Sequence, residues 1–146
     1  MFIATSSKYS NPFILNTRIY SCILIKNNIS HRWRGKYNED TDLSIRVLKD
    51  GYCTILSQAF VCAKNVTMQM KGGNMEQLYK DRENGRLEMA LSLKRQHPDI
   101  VKVKRKWNRW QHSVDYSRFK FNKLKRKEGV IVEDRINEYG MKLKAV

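Results

Sequence analysis

Three carboxylates fall within four positions in Glu39-Asp40-Thr41-Asp42, the densest acidic cluster of a 146-residue chain whose net charge is +15. Carboxylates this close repel one another, which costs stability unless a cation, a positive substrate group or a helix N-terminus offsets them. One of them with suitable access can serve as a general base. The same run also reads as simple N-capping, with Asn or Asp at the cap and further acids in the first turn. His112, just after Trp110-Gln111 in a basic stretch, has three chemistries open to it: ligating a divalent cation, binding phosphate, or stacking on an aromatic ring. His31 and His97 have no partner nearby in sequence and read as surface histidines.

The positive charge is concentrated. Residues 94–128 hold 13 Lys/Arg against 3 Asp/Glu, so +10 lies in 35 residues, whereas residues 1–51 contribute +4. Such a block neutralises phosphates and releases counterions, which makes nucleic acid a natural partner; a basic solvated face is the plainer alternative. Trp107, Trp110, Tyr116 and Phe119 alternate with the cations. That pattern suits a surface that stacks bases and holds phosphates, and equally the core anchors of a small C-terminal lobe. Lys102, Lys104, Arg105, Lys106, Arg109 and Trp110 are the residues expected to meet DNA.

Several classes are excluded or weakened. P-loop, GxGxxG, HExxH and nucleophile-elbow motifs do not occur in the sequence. Cys22, Cys53 and Cys62 form no CxxC pair, so a disulfide framework or zinc knuckle is disfavoured and buried free thiols are expected. No apolar run approaches the ~20 residues of a membrane span, and the first residues lack the pattern of a signal peptide. A soluble protein of the cytoplasm, with no membrane partner, is the expectation.

The elements that must position these residues follow from periodicity. Residues 1–12 read as an irregular lead-in and Phe13 to Ile25 as a buried strand. Leu43, Val47 and Leu48 at helical spacing, with acids ahead and Gly51 behind, predict a helix over 39–50. Tyr52 to Ala63 predicts a second strand, Lys71-Gly72-Gly73-Asn74 a turn, and 75–96 a helix interrupted near Asn84-Gly85 and stopped by Pro98. Its apolar stripe is Leu87, Ala90, Leu91 and Leu93. Ile100, Val101 and Val103 predict one more strand, and residues 133–139 have weak helical character. Strand, helix, strand, helix, strand indicates an α/β or α+β layer.

Taken together, Pro12-Phe13-x-Leu15-Asn16, Tyr20-Ser21-Cys22-x-Leu24-Ile25, Arg32-Trp33-Arg34-Gly35-x-Tyr37 through Leu43, Val47-Leu48-Lys49, Gly51-x-Cys53-Thr54 and Met70 through Asn74 resemble the TET-associated glycosyltransferase family. Those proteins occur largely in phages and prophages. The resemblance runs from about residue 11 to 112. It implies a partial GT-A-like α/β fold, a mixed sheet with flanking helices, and transfer of a sugar from a nucleotide sugar to an oxidised or hydroxymethylated base in DNA, within a bacterial or phage-infected cell. In such enzymes a late acidic motif opens a helix beneath the acceptor, and its aspartate is the base in many inverting members. Carried over, Asp40 becomes the base with Glu39 beside it. Lys71, Gly72, Gly73 and Asn74 form a loop near the donor phosphates or the acceptor base, and His112 takes the place of a C-terminal metal ligand. A divalent metal (Mn or Mg) is implied as cofactor, with the nucleotide sugar as donor. The Asp40-Thr41-Asp42 string belongs to the late motif and is not counted as the metal-binding Asp-x-Asp. The nucleotide-binding N-terminal half that the family's fold requires precedes this region, so residues 13–112 are expected to be the acceptor-side half, with 113–146 a basic extension. A missing half or split partner chain would supply the rest. The reading from another class is a non-catalytic basic DNA-binding protein whose acidic run is only a helix cap.

Overall fold

A computed structural model describes residues 13–20, 22–58 and 84–124, with the single residues 129 and 136. In chain order the described elements are β1 (Phe13–Leu15), α1 (Glu39–Lys49), β2 (Ile55–Ser57), α2 (Asn84–Gln96), β3 (Val101–Lys106), β4 (Arg109–Val114) and a 3₁₀ turn at Tyr116–Phe119. The α/β class stands. The expected mixed sheet does not: the described strands form two separate antiparallel pairs, β1 with β2 and β3 with β4.

β1 is far shorter than the strand expected over 13–25. Leu15 pairs with Ile55, and the next residue, Asn16, turns into the left-handed region at φ 55°. Beyond it the chain is irregular and Leu24 is 95% exposed, so apolar composition did not mean burial there. The expectation of buried thiols fails as well, since Cys22 is exposed and Cys53 only half-buried. Cys62, the 59–63 part of the second strand, the 71–74 turn, the first part of the 75–96 helix and the tail helix (apart from Ile136) lie outside the described residues.

α1 matches its expected range. Acids at 39, 40 and 42 occupy its first turn and Arg46 and Lys49 its last, complementing the helix dipole at both ends. Its stop is a Schellman motif: Gly51, at φ 80°, donates its N–H to Leu48 O at 3.0 Å, and Tyr52 donates to Val47 O at 3.2 Å. The N-terminus departs from simple capping. Asn38 stands at the cap in the left-handed region and its side chain caps nothing; it donates instead to Met89 O on α2 at 2.8 Å.

α2 ends before Pro98, as a ring lacking an N–H requires. Its buried face is centred on Ala90 and Leu93 rather than Leu87 and Leu91, which are half-buried. Ile45 and Leu48 from α1, Leu93 from α2, and Ile100, Val101 and Phe119 form the core, with Val114 and Tyr116 packed against it. Each such side chain contributes about 1.5–3 kcal/mol by leaving water. The core therefore joins both helices to the β3–β4 hairpin, whose second strand the sequence reading missed.

Candidate active site

Asn38 at the N-cap of α1, the first half of α2 and strand β4 line an open cavity of about 460 Å³. Arg18, Asn38, Arg86, Trp110, His112 and Tyr116 contribute to its wall. Hairpin register explains which β4 residues arrive there. Val103 opposes His112 and Arg105 opposes Trp110, so these share one face with Val101 and Val114, the face that packs on the core. Lys102, Lys104, Lys106 and Arg109 fall on the other face by the two-residue alternation of strands and are exposed.

Asp40 is not among the lining residues, but its charge acts on both His112 and Tyr116 in the wall. One of its oxygens accepts from Thr41 N at 2.6 Å and Thr41 Oγ1 at 3.1 Å, which fixes the carboxylate's orientation. Burial pushes the His112 imidazole below its ordinary pKa, Arg18 adds to that, and Asp40 opposes it; the ring is held neutral. Burial likewise drives the Tyr116 phenol well above its ordinary value, so it stays protonated, and its hydroxyl is buried with no hydrogen-bond partner among the described residues. The wall thus offers a neutral imidazole, a phenol O–H and the Arg18 cation around one space, with the partly exposed Asp40 carboxylate in electrostatic reach. A proton acceptor beside polar groups that can orient a neutral hydroxyl-bearing ligand is the chemistry this set supports.

Asp42, two positions on, does something else. Its side chain is fully buried and takes Arg34 Nη2 at 2.9 Å, Arg46 Nε at 2.8 Å and His97 Nε2 at 2.8 Å. Burial alone would raise its pKa, but the hydrogen bonds from Arg34, His97 and Arg46 outweigh that and hold the carboxyl below the usual range. Burial dominates at His97 and keeps its pKa low despite Asp42. The neutral ring therefore donates from Nε2, leaving Nδ1 buried without a partner among the described residues. His97 is 2% exposed, which overturns its reading as a surface histidine. His31 is also partnered, with Asp50 Oδ2 at 2.6 Å.

The candidates separate accordingly. Asp40 and His112, 72 residues apart in sequence, come within electrostatic reach of each other, with His112 in the cavity wall and Asp40 outside its lining. Glu39 is exposed, and Lys71, Gly72, Gly73 and Asn74 lie outside the described residues. Trp107 is 74% exposed at the hairpin tip and Phe119 is 8% exposed in the core, so the aromatic series divides between the two readings it allowed. Arg18 joins the site without a motif to announce it, and Asn38, expected only as part of the acidic motif and its helix cap, joins it too. As a metal centre the donor set fits poorly. No three His, Cys, Asp or Glu side chains converge among the described residues, and His112 has an arginine for company. No described helix is long and apolar enough to cross a membrane.

Residues 2–73 match the family described as TET-Associated Glycosyltransferase. That span contains the acidic run and α1, and stops before α2 and the basic hairpin. No curated protein and no solved structure matches the chain.

Proposed function

We propose that the chain, whose residues 2–73 match the TET-associated glycosyltransferase family, forms the acceptor side of an enzyme that glycosylates a modified base in DNA. The observation that supports this reading is that Asp40, from the matched segment, lies near enough for its charge to act on His112 and Tyr116, which line one cavity. In the proposed step the hydroxymethyl oxygen of the base attacks the anomeric carbon of the sugar. A C–O bond forms there, the bond from that carbon to the diphosphate oxygen breaks, and the hydroxyl proton passes to the Asp40 carboxylate. The Tyr116 O–H and neutral His112 orient the base, and the outer face of the β3–β4 hairpin lies along the phosphates. A base within a duplex must leave the stack to reach such a cavity.

The GT-A architecture and the donor site come to this chain from its family resemblance. In this reading donor binding falls to the loop of residues 71–74, which lies outside the described residues, together with a nucleotide-binding half or a partner chain. The test is nucleoside mass spectrometry on hydroxymethylated DNA exposed to the protein and a panel of nucleotide sugars, with and without the product of the adjacent gene. A sugar-bearing nucleoside supports the reading. Tight, salt-sensitive DNA binding with no transfer under either condition supports a non-catalytic DNA-binding protein instead.

A further inference from the structure

The tip of the β3–β4 hairpin is built against local preference. Lys106 pairs with Arg109, leaving Trp107 and Asn108 as a two-residue loop, both with positive φ, 51° and 56°. That is the type I′ pattern, which favours Asn-Gly or Asp-Gly because both central residues are left-handed. Asn108 suits it. A bulky residue at positive φ is a true outlier, yet the position holds a tryptophan that is 74% exposed. Nothing in the core accounts for it. Lys106 Nζ lies 4.4 Å from the ring centroid, and Lys102, Lys104 and Arg109 follow on the outer face.

We infer that Trp107 is a stacking wedge, a side chain held at the hairpin tip to enter the base stack of DNA and lie against an unpaired base while the flanking cations take the phosphates. Three observations select this occupant: the exposed π face, the cations at successive outer-face positions, and a left-handed backbone that makes Trp a poor choice for stability. An aromatic ring stacks on any base, so the contact is sequence-tolerant and favours strands whose bases are already unstacked. The inference rests on the DNA-binding reading above and adds the residue that would hold the stack open.

Trp107→Asn tests it, because Asn suits the left-handed turn and the variant is expected to melt no lower than the wild type. Binding is followed by fluorescence anisotropy on labelled single-stranded DNA and on a duplex with one abasic position, across a salt series. The expected result is a loss of about 5- to 150-fold in affinity for both, the range of one base–aromatic stack, with the salt slope unchanged. Wild-type tryptophan emission should be quenched on binding, and less so in Trp107→Asn. Trp107→Phe should retain much of the affinity. Equal affinity of wild type and Trp107→Asn would overturn the wedge while leaving the basic face as a DNA surface. Failure of the wild type to bind DNA at low salt would overturn both. Equal binding to poly-glutamate and to DNA, unaffected by Trp107→Asn, would also overturn the wedge and mark a surface for acidic chains.

Discussion

Asp42 and Asp40 are near neighbours with opposite employment, and their surroundings decide it. Asp42 has no exposure and three donors from three parts of the chain. Asp42→Ala would leave Arg46 and His97 facing a buried space, so the expected loss is about 3–5 kcal/mol of unfolding free energy by urea titration. Asp40 is only partly buried and is expected to behave in the reverse way. Asp40→Asn retains the oxygen that Thr41 uses, so melting should barely move while sugar transfer falls by ~10²–10⁴-fold. The acidic run at the start of α1 was legible from sequence, because three close carboxylates are a conspicuous local signal. The His97–Asp42 pairing was not, since the two residues are 55 positions apart and a lone histidine ahead of a proline carries no sign of burial.

At the scale of elements, α1 was readable because its signals are local: acids first, bases last, and a glycine at the left-handed stop. A Cβ on Gly51 would meet nothing within 4 Å, so Gly51→Ala isolates backbone strain and should cost about 1–2 kcal/mol. Melting of Gly51→Ala beside Gly51→Asn checks it, with Asn expected to lose less. The strands were harder. β1 ends at Asn16, whose buried amide donates to Phe119 O at 2.8 Å and Asn122 O at 2.9 Å; no periodicity reports a tie that spans 103 residues. Asn122 in turn donates to Leu48 O and Tyr52 O, both at 2.7 Å, closing the end of α1. Asn122→Ala should therefore destabilise by about 1–3 kcal/mol, measured as a shift of the urea midpoint. β4 escaped notice because its alternation of Trp110, His112 and Val114 with polar residues is masked by the cations around it.

Over the whole molecule, burial of His97 and Asp42 sets the response to acid. The His97 pKa is lower folded than its ordinary 6.5, so below pH 6.5 the unfolded chain takes up a proton that the folded chain refuses, and stability falls as pH drops. Asp42, depressed below its ordinary 3.8, adds stability above that value that is lost as pH falls through its folded pKa. Urea midpoints should thus rise with pH through the acid range and level off above about 6.5, the ordinary pKa of histidine; His97→Gln should flatten the upper part of that rise. The basic charge was legible from composition alone, but its concentration on one hairpin face needed the register. Replacing Lys102, Lys104, Lys106 and Arg109 with Ala should lower the slope of log affinity against log salt by up to about 3.6 on duplex DNA, roughly 0.9 for each phosphate no longer neutralised. Base glycosylation at Asp40 is tested most directly by expressing the protein with its genomic neighbours in cells whose DNA carries hydroxymethylated bases and weighing the nucleosides. Wild type is expected to yield a sugar-bearing nucleoside, reduced by ~10²–10⁴-fold in Asp40→Asn at equal protein level and melting temperature. An equal yield from Asp40→Asn, or no sugar-bearing nucleoside from the wild type, would contradict it.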